Sequence, residues 1–499
     1  MSNKKVAFQD LIPYLEKNMA FHTAINIIDW DANTLAPEES SEYTAKAMGI
    51  LSQEQFTSLI NPKVKEIMEG LKEEELSQTE KAILRRLKKE YQKSEAVTAN
   101  EMREFTELAA RATNVWQKAK KEQNFSLYAP YLEKIVEYKK KFAGYSKKEG
   151  GSLYNVLLDG YEESFHVEEL DRFFSKLKEE IIPLLKKVEQ AEEINDSFFY
   201  QEYDIEKQKE FNVFLAEYMG FNFKRGVIAE SEHPFTTSWH NHDVRITTHY
   251  YKDNLSSAIL STIHEGGHAL YEQGIRDEFT QTLVGDGASC AMHESQSRFY
   301  ENVLGRSEAF WEPLYPKLQD TFPKQLGQVS LGQFVRALNK VKADFIRTEA
   351  DELTYCLHIM VRYELEKQMI EEDVPVDKLP GLWNQKYQEY LGITPNNDKE
   401  GILQDVHWSM GDIGYFPSYA LGNAFAAQIY HTMKKELPVE ELLRKGKIAE
   451  ITAYLREHIH QYGASKEPRE MLKALTGEEF NPDYYIQYLK EKFEQVYQL

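Results

Sequence analysis

Apolar residues recur along most of this chain at intervals of three and four, the spacing of one face of an α-helix. After Ser77-Gln-Thr-Glu80, which has the form of a capping box, Ile83, Leu84, Leu87 and Tyr91 make such a stripe. Long Lys/Glu-rich helices, whose charged runs read as solvated faces, are predicted to about Lys148, where Gly150-Gly151 marks a break. Another helical stretch starts at Val167 and ends near Glu193-Ile-Asn-Asp196. Leu255, Ile259 and Ile263 predict a buried stripe on a helix that stops at Gly274. Beyond the break at Gly285-Asp-Gly287, residues 288–304 again read as helix. In one place the period changes to two: Val244, Ile246, Thr247, Thr248 and Tyr250 predict a strand, read as a possible edge on which an extended peptide could pair. Periodicity alone thus gives a mainly α fold, with no fixed-period repeat.

Composition narrows the classes. At 499 residues the chain exceeds one compact core, so two lobes are expected, residues 1–195 and residues 196–499, acting as one functional unit. A hydrophobic content of 42% excludes a disordered chain. The net charge of −21 argues against nucleic acid or an anionic membrane as partner. No run approaches the ~18 apolar residues of a membrane span, and Met1-Ser-Asn-Lys-Lys leads into an amphipathic helix rather than a signal segment. The cysteines are Cys290 and Cys356, which suits a reducing, cytoplasmic location without a disulfide.

The candidate chemistry centres on His264-Glu265-Gly266-Gly267-His268. On a helix, residues four apart share a face, so both imidazoles can grip one metal ion, while Glu265 can take a proton from water beside it. The alternative is a helix that happens to carry two histidines. Gly266 and Gly267 cost about 1 kcal/mol each relative to Ala in a helix, so this segment is expected to need bare backbone for a close approach. A catalytic zinc takes a third protein ligand and one open position. The positions three and six after His268 hold Tyr271 and Gly274, which rules out the metzincin pattern. Glu294, in His293-Glu294-Ser295-Gln296-Ser297-Arg298, is the candidate; spacing alone fits equally a surface glutamate paired with Arg298.

At this point the chain resembles the carboxypeptidase Taq family of zinc metallocarboxypeptidases. The resemblance rests on ordered blocks: His233-Pro234-Phe235, Asp243-Val-Arg245-Ile-Thr247, the HEGGH string, His293-Glu294-Ser295-Gln296, Ile346-Arg347-Thr-Glu-Ala350-Asp351, and Gly401-Ile-Leu-Gln404-Asp405-Val-His407-Trp408. Trp30-Asp31 and Leu157-Leu158-Asp159-Gly-Tyr161 extend it nearly end to end. It implies two helical lobes around a deep active-site groove lined by a small β-sheet, a neurolysin-like helical architecture. The N-terminal lobe would wall that groove, and the protein would be a homodimer.

The resemblance further implies Zn2+ on His264, His268 and Glu294, with Glu265 as general base. Co2+ could substitute, since both ions accept this donor set. Its substrates would be peptides with a free C-terminus, cut with broad specificity. Recognising that terminus calls for an arginine, whose planar fork matches a carboxylate. Arg347 is the first choice and Arg245 the second, against ion pairs of Arg347 with Asp351 and of Arg245 with Asp243. His233, His240, His242 and His249 cluster near the strand, and His233 is taken as a substrate contact. His407, Tyr415 and Tyr419 are further candidates to bind substrate or oxyanion. Asp351 and Asp405 could orient the zinc histidines, since position 298, where a related carboxylate would sit, is Arg. Two other functions stay open: an oligopeptidase or dipeptidyl-type peptidase of the same zinc class, and a non-catalytic metal-binding scaffold. An intact Glu265 argues against the scaffold.

Overall fold

The computed structural model describes residues 6–499. Residues 1–5, read from the sequence as leading into an amphipathic helix and not a signal segment, lie outside the described residues. The fold is mainly helical with a three-stranded sheet. Local chemistry sets the helix starts. Ser77 and Glu80 form the expected capping box at the head of Gln78–Ser94, and Ile83, Leu84, Leu87 and Tyr91 are its buried stripe. Asn254 and Ser289 each accept a backbone N–H and so cap Leu255–Gly274 and Cys290–Arg298. Among the described residues no helix is long and apolar enough to cross a membrane.

Contacts divide the chain into two interleaved units, with several crossings between them, one of which falls between Ile194 and Asn195. One unit comprises the residues up to Glu95, Asn195–Leu338 and Ile429–Glu478; the other is Ala96–Ile194, Asn339–Gln428 and Glu479–Leu499. Helix periodicity is a local signal and carries no information on which helices share a core.

The first unit holds the sheet. Strands β1 (Gly226–Glu230), β2 (Thr236–His240) and β3 (Asp243–Thr248) lie in the order β1-β3-β2. β1 runs parallel to β3 and β2 antiparallel to it, with Val227 and Thr237 both opposite Arg245. The expected peptide-pairing edge is therefore the central strand, with both backbone sides engaged. Burial explains this: Val244 and Ile246 pack with Ala216, Phe221 and Ala269 in a small core. Ala269 belongs to Leu255–Gly274, so the sheet lies directly on the helix that carries both histidines.

In the second unit, Val167–Val188 has a clean apolar stripe (Leu170, Phe173, Phe174, Leu177, Ile181, Leu184) despite Pro183 inside it. It ends at Val188, earlier than the expected 193. Glu352–Glu371 is buried almost all round, with His358, Arg362 and Glu366 inside the core. Such charges must be paired: Arg362 Nε donates to Asp405 Oδ2 at 2.8 Å, and its guanidinium stacks on Trp383 at 4.3 Å.

Candidate metal centre

Two helices of the first unit build the site, and a glycine sets their separation. A Cβ at Gly267 would lie 2.7 Å from Gln296 O and from Ser297 Cα. The histidine helix thus touches the backbone of Cys290–Arg298, which is the close approach the two glycines implied. Gly266 instead faces the flexible end of Met219, at 2.9 Å. Gly274 does end the helix, and there a Cβ would strike His460 at 2.6 Å.

The contact brings Glu294 under both histidines. Its Oε2 is 3.7 Å from His264 Nε2 and 3.4 Å from His268 Nε2. The three ligand atoms lie within 4.8 Å of one another. Ligands about 2.1 Å from a tetrahedral ion stand about 3.4 Å apart, so this donor set fits a divalent metal with little adjustment. The Arg298 pairing that competed with the ligand reading is also present: Arg298 Nε donates to Glu294 Oε1 at 2.6 Å. The two oxygens of one carboxylate satisfy both. Burial works to raise the Glu294 carboxyl, but Arg298 and the histidines outweigh it and hold it well below the ordinary range, in its ligating form. Burial pushes the His268 imidazole down to about 3, which keeps it neutral, as a metal ligand must be.

Glu265 projects beside this cluster. Thr236, on β2, donates to Glu265 Oε2 at 2.6 Å and holds the carboxylate in place. Burial pushes its carboxyl above the ordinary value, which makes it the stronger base.

Each histidine's Nδ1 has a partner, leaving Nε2 to face the metal position. His264 Nδ1 is 2.8 Å from Glu301 Oε2. Glu301 in turn accepts from Arg298 at 3.0 Å and from Arg306 at 3.1 Å. His268 Nδ1 is 2.6 Å from His293 Nδ1, and His293 Nε2 is 2.8 Å from Glu272 Oε1. Neither Asp351 nor Asp405 does this work. Asp351 caps Glu352–Glu371, and Asp405 is held by Arg347 and Arg362. Sequence reading missed Glu301, His293, Glu272 and Thr236 in these roles. Glu301 had a signal, seven residues after Glu294 and three after Arg298, in a π-helical turn, Phe299–Leu304. The others depend on contacts between elements.

The remaining candidates fall into two groups. In the second unit, Arg347, His407, Tyr415 and Tyr419 come together. Arg347 Nε donates to Asp405 Oδ1 at 2.9 Å and Nη1 to Tyr355 at 3.1 Å, and its plane lies over Tyr419 at 4.9 Å. Its expected pairing with Asp351 does not occur. His407 Nε2 meets Tyr419 Oη at 3.2 Å, and Tyr415 packs on both rings. His407 Nδ1 is buried with no hydrogen-bond partner among the described residues. In the first unit, Arg245 has the ion pair weighed against it: Nε and Nη2 both donate to Asp243 at 2.9 Å. Its faces are covered by Trp30 and Trp239, at 4.8 and 4.4 Å. His233 is exposed, and its carbonyl accepts from Ser231.

The model of the carboxypeptidase Taq (M32) metallopeptidase family matches residues 10–493. Carboxypeptidase 1 of Bacillus subtilis is 43% identical over 98% of this chain and 99% of its own. Thermostable carboxypeptidase 1 of Pyrococcus furiosus is 37% identical over 94% of this chain and 95% of its own. The crystal structure of an M32 carboxypeptidase from Deinococcus radiodurans superposes with a TM-score of 0.95 at 31% identity, covering 98% of this chain and 99% of that one. The chain therefore belongs to the carboxypeptidase Taq (M32) metallopeptidase family, and is a metallocarboxypeptidase, a peptide hydrolase of the class that requires a divalent metal.

Proposed function

We propose that this protein removes single residues from the free C-terminus of peptides, with broad specificity, using zinc held by His264, His268 and Glu294. The observation that carries the reading is the convergence of two Nε2 atoms and one carboxylate oxygen beside the Thr236-anchored Glu265. When bound, zinc supplies Lewis-acid chemistry that brings the pKa of water to about 7 and polarises a carbonyl. Glu265 accepts the proton of the attacking water and passes it to the departing amine nitrogen. Cobalt serves in place of zinc.

Arg347 receives the terminal carboxylate. Two guanidiniums, Arg347 and Arg362, share the single carboxylate of Asp405, so the group carries surplus positive charge suited to an anion. The Nδ1 of His407, without a hydrogen-bond partner among the described residues and with Tyr415 and Tyr419 beside the ring, supplies further polar contacts to substrate. Arg245, whose fork Asp243 occupies, ranks below Arg347. The protein works as a cytoplasmic homodimer. Light scattering in solution checks the dimer.

The test of the activity is mass spectrometry on an N-blocked peptide with its C-terminus free or amidated. Single-residue loss from the free form only, dependent on zinc or cobalt and absent in Glu265→Gln, is the expected result. Internal cuts indifferent to amidation would reassign the protein to the oligopeptidases, and no metal-dependent cleavage would leave a binding scaffold.

A further inference from the structure

We propose that His293 and Glu272 are positioning residues: a two-step hydrogen-bond relay that fixes the tautomer and direction of His268 at the metal. The proposal rests on the reading of His268 as a ligand given above.

The geometry dictates the proton order. His268 Nδ1 and His293 Nδ1 are 2.6 Å apart, so one of them must donate and the other accept. A histidine that ligates through Nε2 as a neutral ring carries its proton on Nδ1. His268 is then the donor, and His293 must accept at Nδ1. The proton of neutral His293 consequently sits on Nε2, where Glu272 Oε1 waits at 2.8 Å. The opposite order would put the His268 proton on Nε2, pointing at Glu294 Oε2 and filling the metal position.

The surroundings fix each member. Ser238 donates to Glu272 Oε2 at 2.6 Å and pins the acceptor from β2. A Cβ at Gly287 would lie 2.6 Å from His293 Cδ2, so glycine there gives the ring its place. The Tyr271 ring flanks it at 5.2 Å. His264 has no such intermediary, since Glu301 meets it directly. The two ligating histidines are therefore oriented by different devices, one a carboxylate and one a neutral ring backed by a carboxylate.

Asp286 offers a competing reading, because with Glu272 and His293 it makes a second group able to hold a cation. The 2.8 Å between His293 Nε2 and Glu272 Oε1 is a hydrogen-bond contact, shorter than the about 3 Å or more between ligands of one ion.

The experiment measures zinc affinity by competition with a chromophoric chelator, zinc stoichiometry, and the visible absorption of the cobalt-loaded protein. His293→Phe keeps a ring without nitrogens; the expected result is a loss of zinc affinity on the order of 10–100-fold and a shifted cobalt spectrum. His293→Gln, whose carbonyl can accept from His268 while its amide faces Glu272, should recover most of both. Unchanged affinity and spectrum in His293→Phe, or equal losses in the two variants, would overturn the relay. So would two zinc ions per wild-type chain with one lost in His293→Phe, which would favour the second cation site. Should His293→Phe fail to fold by circular dichroism, Glu272→Gln decides: a shifted cobalt spectrum is expected and an unchanged one overturns the proposal. His268→Phe is the control on the underlying reading, for zinc binding unaffected there would remove His268 from the metal altogether.

Discussion

Glu294 faces Arg298 with one oxygen and the two histidines with the other, so its charge is compensated on both sides. Arg298 also reaches Glu301, and its removal strips two buried carboxylates of a cation. Arg298→Met should therefore lower stability by about 3–5 kcal/mol in metal-free protein, less when zinc is bound; chemical denaturation with and without zinc checks both. The helical spacing made Glu294 and Arg298 legible as a pair and the histidines as ligands. It could not decide between the two readings of Glu294, because spacing fixes a face and not a partner across it. His407 yields a pH dependence. Burial first, then Arg347, pushes its imidazole down to about 4 from 6.5, so the unfolded chain binds the proton at a higher pH than the folded one. Its contribution is complete above about pH 6.5 and is lost as pH falls through about 4, up to about 3 kcal/mol in all. Urea midpoints at pH 7 and pH 4.5 should draw closer together in His407→Gln than in the native protein.

At the level of elements, one crossing of helices decides whether the ligands meet. Gly267→Ala would press a methyl into Gln296 O and Ser297 Cα, both backbone, so the helices must part. We expect a loss of about 1–3 kcal/mol in stability together with markedly weaker zinc binding. Gly266→Ala meets only the end of Met219, which can swing aside, and should gain up to about 1 kcal/mol in stability with zinc binding little changed. Calorimetry and zinc titration on the two variants separate backbone contact from helix propensity, because propensity predicts the same sign for each. The sequence pattern made the need for bare backbone legible at these glycines but not what would fill the space. Alternation in Asp243–Thr248 likewise announced a strand yet could not show that β1 and β2 flank it, since side-chain period carries no record of backbone neighbours.

For the whole molecule, every proposed metal ligand belongs to one contact-defined unit, and Arg347, His407, Tyr415 and Tyr419 to the other. Removing metal should therefore act unevenly. Hydrogen exchange with and without a chelator should show deprotection concentrated in Leu255–Gly274, Cys290–Arg298 and the adjoining π turn, and little change in Glu352–Glu371; uniform deprotection would count against this. The six ordered blocks made the family legible because chemistry constrains short stretches, whereas the partition of helices depends on packing and left no such mark. That partition bears on how the chain comes off the ribosome. The first unit takes in Ile429–Glu478 and the second Glu479–Leu499, so each is assembled from segments far apart in the chain. At roughly 5–20 residues per second, the apolar stripe of Val167–Val188 waits tens of seconds for its terminal partner, Asp483–Tyr497. Vectorial synthesis therefore leaves that stripe to be shielded from aggregation until Asp483–Tyr497 emerges.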